Sequence, residues 1–282
     1  MANVKMIDVS KHNTITSWTK VKEAGIDAVI IRAGYGCTTD PKFVNNIKGA
    51  QAAGIAVGVY WFAYPLNVAG AKKEADYVYK LIKPYKVDLG VWYDFEYDTE
   101  RYASQNGVDY TNALRTDVIK AFCERMKGYN YKVGLYLNPD YIQYKVNYNA
   151  LKSYPLWLAQ WTKSTGATYS GTNANSVNTK WGKPEIWQFG AGKINGISGN
   201  VDMNYYYGEM PKIEQPAQSK YFPKASYKGV SFVEGLISVG ASYSFTYRKK
   251  IAKANGMDNY TGVAAQNTKL LGMLKSGKLI KP

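Results

Sequence analysis

The sequence contains few cysteines, few histidines and no long apolar segment, and each scarcity excludes a class of protein. Cys37, Cys123 and His12 are the only residues of their types among 282. Without a CxxC pair or a second histidine, the chain is not expected to form a disulfide framework or a Cys/His metal site. The longest apolar runs, such as GIAVGVYWFAY at 54–64, fall far short of the roughly 20 residues that cross a bilayer. The opening residues MANVKMIDVSKHN also lack the basic start, apolar stretch and cleavage site of a secretory signal, which predicts synthesis in a cytoplasm.

Acidic residues are also scarce, whereas basic and aromatic residues are abundant. The chain has 36 Lys and Arg against 21 Asp and Glu, a formal net charge of +15, together with 26 Tyr and 7 Trp. Residues 212–282 hold 12 basic and 3 acidic residues, a net charge of +9. This balance predicts an anionic partner, and nucleic acid, anionic membranes and anionic cell-wall polymers all satisfy it. The aromatic rings suit stacking on sugars or bases.

Up to about Pro211 the chain alternates strand-like and helix-like segments. Strand, helix and strand repeated in this way are typical of a parallel sheet, and eight strands favour a closed barrel. The last three strands have no long helices between them, so we expect an α/β fold with an irregular, TIM-like (β/α) barrel. The predicted strands are 6–10, 28–36, 58–64, 89–96, 132–138, 156–161, 184–190 and 201–206. The predicted helices are 17–25, 40–54, 69–83 and 111–128.

The pattern changes after the last predicted strand. MPKIEQPAQSKYFPKAS at 210–226 has three prolines and no periodicity, which predicts a linker. Beyond it, three helical segments at 231–240, 247–256 and 264–277 each end on glycine, as helices often do. We therefore expect a barrel domain at 1–211, a linker at 212–226 and a small helical domain at 227–282. The core of the small domain is expected to come from Val233, Leu236, Ile237, Ile251, Leu270, Leu271 and Leu274.

Acidic residues interrupt the apolar and aromatic run VWYDFEYD at 91–98. Side chains at i and i+2 of a strand share a face, so Asp94 and Glu96 point to one side and Phe95 to the other. Both acids sit at the carboxyl end of the fourth predicted strand, where barrels of this kind hold their active sites. Two carboxyls in a partly dry mouth cannot both ionise freely, which gives the proton donor beside a carboxylate that glycoside hydrolysis requires. Alternatively, both are strand-end acids that bind loop amides or an arginine.

Two further acids favour the catalytic interpretation. Asp8 closes the first predicted strand, and Asp202 begins the last one. Because the first and last strands are neighbours in a closed barrel, both acids can reach the same mouth as Asp94 and Glu96. Four acids at one mouth are costly to bury unless they are used.

Eight motifs between residue 5 and about residue 207 carry a resemblance to a known family. They are IDVSKHN at 7–13, VIIRAGYG at 29–36, GVYWFAYP at 58–65, VWYDFEYD at 91–98, GLYLNPDY at 134–141, PLWLAQW at 155–161, IWQFG at 186–190 and GNVDMN at 199–204. In these motifs and their order the chain resembles the family 25 glycoside hydrolases, which include the N-acetylmuramidases of phage endolysins. One departure is KHNTIT after the first acid, where many members have an aromatic-rich stretch, and His12 receives no role.

The resemblance implies a lysozyme that cleaves the β-1,4 bond between N-acetylmuramic acid and N-acetylglucosamine in peptidoglycan, with net retention. It implies that Glu96 is the general acid/base, that Asp94 lies beside it, and that Asp8 and Asp202 complete an acidic floor. Sequence spacing leaves three routes open: a nucleophilic carboxylate, a carboxylate that activates water, or attack by the substrate's own 2-acetamido oxygen. We favour the last route, with Asp94 as the group that orients and stabilises the acetamide. None of the routes requires a metal or an organic cofactor.

Polar and aromatic side chains that end the neighbouring predicted strands are expected to bind sugars, although strand parity lets only about half of them face inward. The chosen candidates are Tyr60, Tyr64, Tyr136, Trp161 and Gln188. Arg32, inside an apolar strand, has two equal interpretations. It is either a partner that holds an acid ionised or a brace between strands.

The segments YRKKIAKANGM at 247–257 and LLGMLKSGKLIKP at 270–282 resemble the short cell-wall-binding modules at the ends of clostridial-type phage and bacterial lysins. The net charge of the tail favours attraction to the anionic polymers of a Gram-positive wall. Alternatively, Arg248, Lys249, Lys250 and Lys253 form only the solvated face of a helix. Two rival functions are a non-catalytic wall carbohydrate-binding protein, against which the four acids argue, and a nucleic-acid binder, for which no recognition motif is present. We expect an endolysin-like enzyme that is made in a host cytoplasm without a signal peptide and reaches peptidoglycan at lysis, with no nucleic-acid or membrane partner. The sequence does not set the oligomeric state or the target bacterium.

Overall fold

The computed structural model describes residues 3–212 and 220–282. The chain forms two compact units, Met1–Glu214 and Gln215–Pro282. Residues 213–219 of the predicted 212–226 linker lie outside the described residues. Within the described ranges, no helix combines the length and the apolar character needed to cross a membrane.

Eight strands form the barrel of the first unit, and each matches a predicted strand to within a few residues at its ends. They are β1 Val4–Val9, β2 Ala28–Tyr35, β3 Ala56–Phe62, β4 Val91–Asp94, β5 Val133–Leu137, β6 Leu156–Lys163, β7 Ile186–Gly192 and β8 Val201–Tyr206. Each strand pairs with the next, and β1 pairs with both β2 and β8, which closes the sheet into a barrel. The predicted barrel with an additional helical region is therefore confirmed.

The direction of the last strand differs from the expected parallel sheet. β8 runs antiparallel to both β7 and β1, whereas the other neighbouring strands are parallel. In this register Asp202 lies directly opposite Asp8. In a parallel barrel the first residues of a strand lie at the end opposite the mouth, so only the reversal brings Asp202, the second residue of β8, to the mouth.

Helices cover the early strands, as predicted, and side-chain caps define where several of them begin. Ser17, Asn67 and Thr111 each accept a hydrogen bond from a backbone N–H in the first turn, which satisfies a group that the helix leaves unpaired. The helices of the first unit are α1 Trp18–Glu23, α2 Phe43–Ala52, α3 Val68–Ile82, α4 Tyr97–Gln105 and α5 Asn112–Gly128. The helix α4, which begins directly after Glu96, was not predicted from the sequence. Shorter elements are strand pieces Thr14–Ile15, Thr38–Thr39 and Ile197–Ser198, the π-helix Tyr141–Lys145, and 3-10 turns Tyr148–Ala150 and Ala174–Ser176.

The core has an inner layer within the barrel and an outer layer between strands and helices. Side chains alternate between them along each strand, so Trp92 belongs to the inner layer and Tyr93 to the outer one. Gly134 on β5 makes room for Trp92, since a Cβ at that position would lie 2.3 Å from the indole ring. Trp157 packs edge-on against Trp92 in the inner layer, with ring centroids 6.1 Å apart. This packed interior closes the barrel beneath its mouth.

Three helices build the second unit: α6 Phe232–Ser238, α7 Phe245–Ala254 and α8 Ala264–Ser276. Its core contains most of the predicted residues, together with Phe222 and Ala225, which the sequence analysis placed in the linker. Ile237 is a wrong core prediction, because its side chain is 45% exposed. It lies off the face of α6 that Phe232 and Leu236 bury.

Candidate active site

The four predicted acids line one cavity of about 230 Å³ at the barrel mouth. Asp8 comes from β1 and Asp94 is the last residue of β4, while Asp202 reaches the mouth through the reversal of β8. Glu96 follows β4 by two residues. The cavity therefore collects carboxyl groups from three separate strands, two of which are adjacent in the barrel.

Local backbone geometry aims Glu96 into the cavity. The predicted strand 89–96 was too long, since β4 ends at Asp94, but Glu96 keeps extended backbone angles of φ −133° and ψ −179°. The alternation of side chains thus continues past the strand, and Phe95 packs into the outer core with 1% exposure. The Glu96 backbone N–H donates to Thr99 Oγ1 at 3.2 Å, which fixes the start of α4. The predicted parity is correct even though the predicted strand end is not.

Asp94 and Glu96 lie close enough to influence each other's ionisation, and a hydrogen bond between their carboxyl groups requires a shared proton. Burial raises the pKa of both groups, and the charge of Glu96 raises the pKa of Asp94 further. The pair therefore keeps a proton at a pH where exposed carboxyls have lost theirs. Asp94 Oδ1 is buried and has no hydrogen-bond partner among the described residues.

Asp8 has a different environment, because two side-chain amides hold it. Gln188 Nε2 and Asn204 Nδ2 both donate to Asp8 Oδ2, at 2.9 and 2.8 Å. Indole N–H groups, which can only donate, fix the amide orientations: Trp157 Nε1 donates to Asn204 Oδ1 at 2.8 Å and Trp161 Nε1 to Gln188 Oε1 at 2.7 Å. Burial raises the pKa of Asp8 to about 6, while the two amide donors act in the opposite direction. Asp8 is thus held as an acceptor.

Asp202 completes the acidic wall without comparable donors. Burial raises its pKa to about 8, and the nearby charges of Asp8 and Glu96 add to the effect. Asp202 therefore holds its proton to a higher pH than Asp8 does. The four carboxyls differ in proton affinity because their surroundings differ.

The predicted sugar-binding residues fall into two groups. Tyr60 and Tyr136 line the cavity with Gln188, and Tyr136 OH donates to Gln188 Oε1 at 2.8 Å. Trp161 is 44% exposed and is tied to the same Gln188 oxygen. Tyr64 does not line this cavity. It lines a second one of about 390 Å³, where its ring packs on Tyr102 with centroids 4.7 Å apart.

Arg32 lines the cavity but binds an acid outside the predicted set. Its Nε donates to Asp40 Oδ2 at 2.7 Å, and Nη2 is buried without a described partner. Of the two interpretations of Arg32, the one in which it pairs with an acidic side chain fits this contact, and that side chain is Asp40. Its charge also acts to lower the pKa of Asp94. His12 lies at the cavity rim, where burial and then the charge of Arg32 lower its pKa.

Sequence reasoning missed Asn204 and Trp157 as parts of the site. Asn204 follows Asp202 by two residues in β8, so strand parity alone could have placed it on the same inner face. Trp157 lines the cavity and packs edge-on against Tyr136 at 4.7 Å between centroids. Trp157 precedes Trp161 by four positions, an even spacing at which side chains of a regular strand share a face. The pairing between an amide and a particular carboxylate has no such sequence pattern.

Comparison with known proteins supplies independent information about the barrel unit. Residues 7–197 match the profile described as "Glycosyl hydrolases family 25". The chain is similar to "Lysozyme M1" of Streptomyces globisporus, at 30% identity over 228 residues, covering 75% of this chain and 70% of that protein. It is also similar to "Autolytic lysozyme" of Clostridium acetobutylicum, at 24% identity, covering 72% of this chain and 56% of that protein.

Among solved structures, the barrel is similar to the modular autolysin LytC of Streptococcus pneumoniae. The TM-score is 0.60 at 26% identity, covering 73% of this chain and 47% of LytC. LytC has also been solved in complex with a synthetic peptidoglycan ligand. The chain thus spans about half the length of LytC and of the clostridial relative.

Proposed function

The chain belongs to the glycosyl hydrolases of family 25, and from this premise we propose that it is a muramidase that hydrolyses peptidoglycan. The bond we assign is the β-1,4 bond from N-acetylmuramic acid to N-acetylglucosamine. Curated relatives named lysozyme support this substrate. The observation that carries the proposal is the buried Asp94–Glu96 pair in the acid-lined cavity at the mouth of the barrel.

Glu96 is the general acid and base in this proposal. The pair retains a proton at a higher pH than exposed carboxyls do, and Glu96 is the less buried partner, with Asp94 only 5% exposed. Glu96 can therefore present the shared proton to a glycosidic oxygen in the cavity, while Asp94 lies beneath. Once the leaving sugar has taken the proton, the Glu96 carboxylate can accept one from an attacking water.

Asp94 suits substrate assistance better than direct attack. The unpartnered Asp94 Oδ1 can accept the N–H of the substrate's 2-acetamido group. That donor favours ionised Asp94, which moves the shared proton to Glu96.

The proposed reaction then has two steps. The acetamido oxygen attacks the anomeric carbon, the bond to the leaving oxygen breaks, and the Glu96 proton passes to that oxygen. Glu96 then removes a proton from a water molecule, which attacks the anomeric carbon from the face that the leaving sugar had occupied and opens the resulting ring. The two displacements together give net retention. Asp8 and Asp202 bind the sugar around this centre, and the positive charge at the anomeric carbon is stabilised by ionised Asp8.

The sugar chain is proposed to contact Tyr60, Tyr136, Gln188 and the half-exposed Trp161, with Tyr64 bordering the next cavity. Peptidoglycan strands are long, so sugar units on either side of the cleaved bond can occupy the active-site cavity and the cavity bordered by Tyr64. We further propose that the second unit binds the anionic Gram-positive wall, and that the protein acts as an endolysin after release from a host cytoplasm. The charge of residues 212–282, with 12 basic and 3 acidic residues, supports wall binding by this part of the chain.

The ends of the digestion products test the assigned bond. Purified peptidoglycan is digested, its reducing ends are converted to alcohols with borohydride, and the fragments are identified by mass spectrometry. We expect new reducing ends on N-acetylmuramic acid. New ends on N-acetylglucosamine would assign the cut to the other glycosidic bond, and free stem peptides would overturn glycosidase activity altogether.

A further inference from the structure

The second unit carries a cluster of exposed aromatic and basic side chains on one face. We define the aromatic-basic patch as Tyr243, Phe245, Arg248, Lys249 and Val263, from the start of α7 and the loop before α8. We propose that this patch binds a phosphodiester-containing cell-wall polymer. The inference rests on the proposed wall-binding role of the unit and identifies the surface and the ligand chemistry.

The charges of this unit are not neutralised internally. Its described residues, 220–282, contain 11 basic side chains and two acidic ones, Glu234 and Asp258. All ion pairs found among the described residues of the protein lie in the barrel unit. Most of these basic side chains are exposed, and none has an ion-pair partner among the described residues. A partner with one negative charge in every repeat unit complements them.

The patch exposes more apolar surface than a solvated helix face requires. Tyr243, Phe245 and Val263 are 55%, 46% and 54% exposed. The turn before α8 lies against Phe245, since a Cβ at Gly262 would be 3.0 Å from the Phe245 ring. Exposed rings of this kind supply flat contacts for the sugar or polyol units of a polymer.

Arg248 is held in place beside these rings. Its Nε donates to the Tyr243 carbonyl at 3.1 Å and its Nη1 to Tyr260 OH at 2.9 Å. Tyr260 is 2% exposed and donates in turn to Asn267 Oδ1 at 2.5 Å. A guanidinium has five N–H groups, and the described residues accept from only two of them. The remaining donors form part of a fixed fork, which suits phosphate oxygens.

Lys249 places a second cation on the same surface. Lys249 Nζ lies 5.6 Å and Arg248 Cζ 5.5 Å from the Phe245 ring centroid. A phosphate that binds both cations would bring the adjoining sugar or polyol onto Phe245. This combination distinguishes the patch from basic residues that are only exposed.

The test is a wall-sedimentation assay with the full-length chain carrying Glu96→Gln, so that the walls stay intact. Lys249→Gln removes one exposed charge within the patch and breaks no hydrogen bond of the described structure. Lys278→Gln is the matched control, because it removes the same charge from an exposed residue beyond the C-terminal end of α8, whereas the patch lies at the start of α7 and before the start of α8. We expect Lys249→Gln and Arg248→Gln to weaken wall binding about five- to tenfold, and Lys278→Gln less than twofold. Thermal unfolding checks that each variant is folded.

The ligand is tested with walls stripped of phosphodiester polymers by hydrofluoric acid. The parent protein should bind stripped walls at least tenfold more weakly, and Phe245→Ala should weaken binding only to intact walls. Equal binding to stripped walls, equal effects of Lys249→Gln and Lys278→Gln, or full displacement by an oligonucleotide at the same phosphate concentration would each overturn the inference. If the parent Glu96→Gln protein does not bind intact walls, the proposed wall-binding role of the second unit is overturned as well. Digestion by the Glu96→Gln chain would instead count against the catalytic proposal alone.

Discussion

At the residue scale, four similar carboxyl groups differ because of what surrounds each one. Asp8 accepts two amide donors, Asp94 and Glu96 lie side by side and raise the cost of ionising both, and Asp202 is buried without comparable donors. The sequence predicted that Asp94 and Glu96 share a face, because strand parity is a local rule, whereas Asp202 reaches the mouth through the reversal of β8, which the sequence did not predict. It could not predict the amides that orient Asp8, because that contact joins residues nearly 200 positions apart.

Asn204→Asp tests whether these amides set the charge of Asp8. The new carboxylate can still accept from Trp157 Nε1, but it replaces the donor to Asp8 with a second negative group. Two carboxyls in contact raise the apparent pKa of the pair above the value of about 6 for Asp8. We therefore expect the acidic limb of the kcat/KM profile to move up by about one pH unit, which costs roughly fivefold activity at pH 6.

The control for this variant is Asn149→Asp, which adds the same charge on the exposed turn Tyr148–Ala150. Its profile should superimpose on that of the wild type. If Asn204→Asp also leaves the profile unchanged, the ionisation of Asp8 does not control activity.

At the element scale, the number of strands followed from the sequence but the direction of β8 did not. Alternation of apolar residues reports that a segment is a strand and is the same whichever way the strand runs. The short connection between β7 and β8, without a crossover helix, is the feature that permits the antiparallel pairing. α4 was missed because its sequence, YDTERYASQ, has few apolar positions and only Thr99 and Ala103 are buried.

Glu74 on α3 anchors the segment that follows β3. Glu74 is 2% exposed, and its Oε1 and Oε2 accept from Tyr64 N–H at 2.9 Å and Tyr93 OH at 2.7 Å. Glu74→Ala leaves both donors unsatisfied and opens a cavity, so we expect a loss of about 2–4 kcal/mol in the free energy of unfolding. Glu74→Gln can still accept from Tyr64, and its amide can donate to Tyr93, so the fold should remain intact. Urea denaturation measures both.

The same glutamate gives stability a defined pH dependence. Burial raises its pKa from 4.5 to about 8, so the folded state holds a proton that the unfolded chain loses near pH 4.5. Its contribution to stability is complete below that pH and is lost as the pH rises towards 8. The melting temperature of Glu74→Gln relative to wild type should therefore rise between pH 5 and 8. A constant difference across this range would mean that Glu74 is already ionised in the folded protein.

At the scale of the whole molecule, the two units divide the charge unequally. The net charge is +15, of which residues 212–282 carry +9. Attraction between this unit and a polyanionic wall is screened by salt, since the Debye length falls from about 10 Å at 0.1 M to about 3 Å at 1 M. The wall-clearing rate should therefore fall at least fivefold, on the order of 1 kcal/mol, between 0.05 and 0.5 M NaCl.

A soluble peptidoglycan fragment is the control substrate for this salt effect. It needs no wall binding, so its hydrolysis should change less than about twofold over the same range. Equal salt sensitivity on both substrates would place the effect in the barrel rather than in the basic unit.

The most direct test of the central claim compares wild type with Glu96→Gln in kcat/KM on a defined peptidoglycan fragment. Glutamine keeps the shape and the extended backbone of Glu96 but can neither donate the shared proton nor accept one from water. We predict a loss of at least 100-fold, because general acid–base catalysis contributes about 10²–10⁴, with an unchanged melting profile below pH 5. A Glu96→Gln chain that is folded and cleaves the fragment at a rate near that of the wild type would contradict the account.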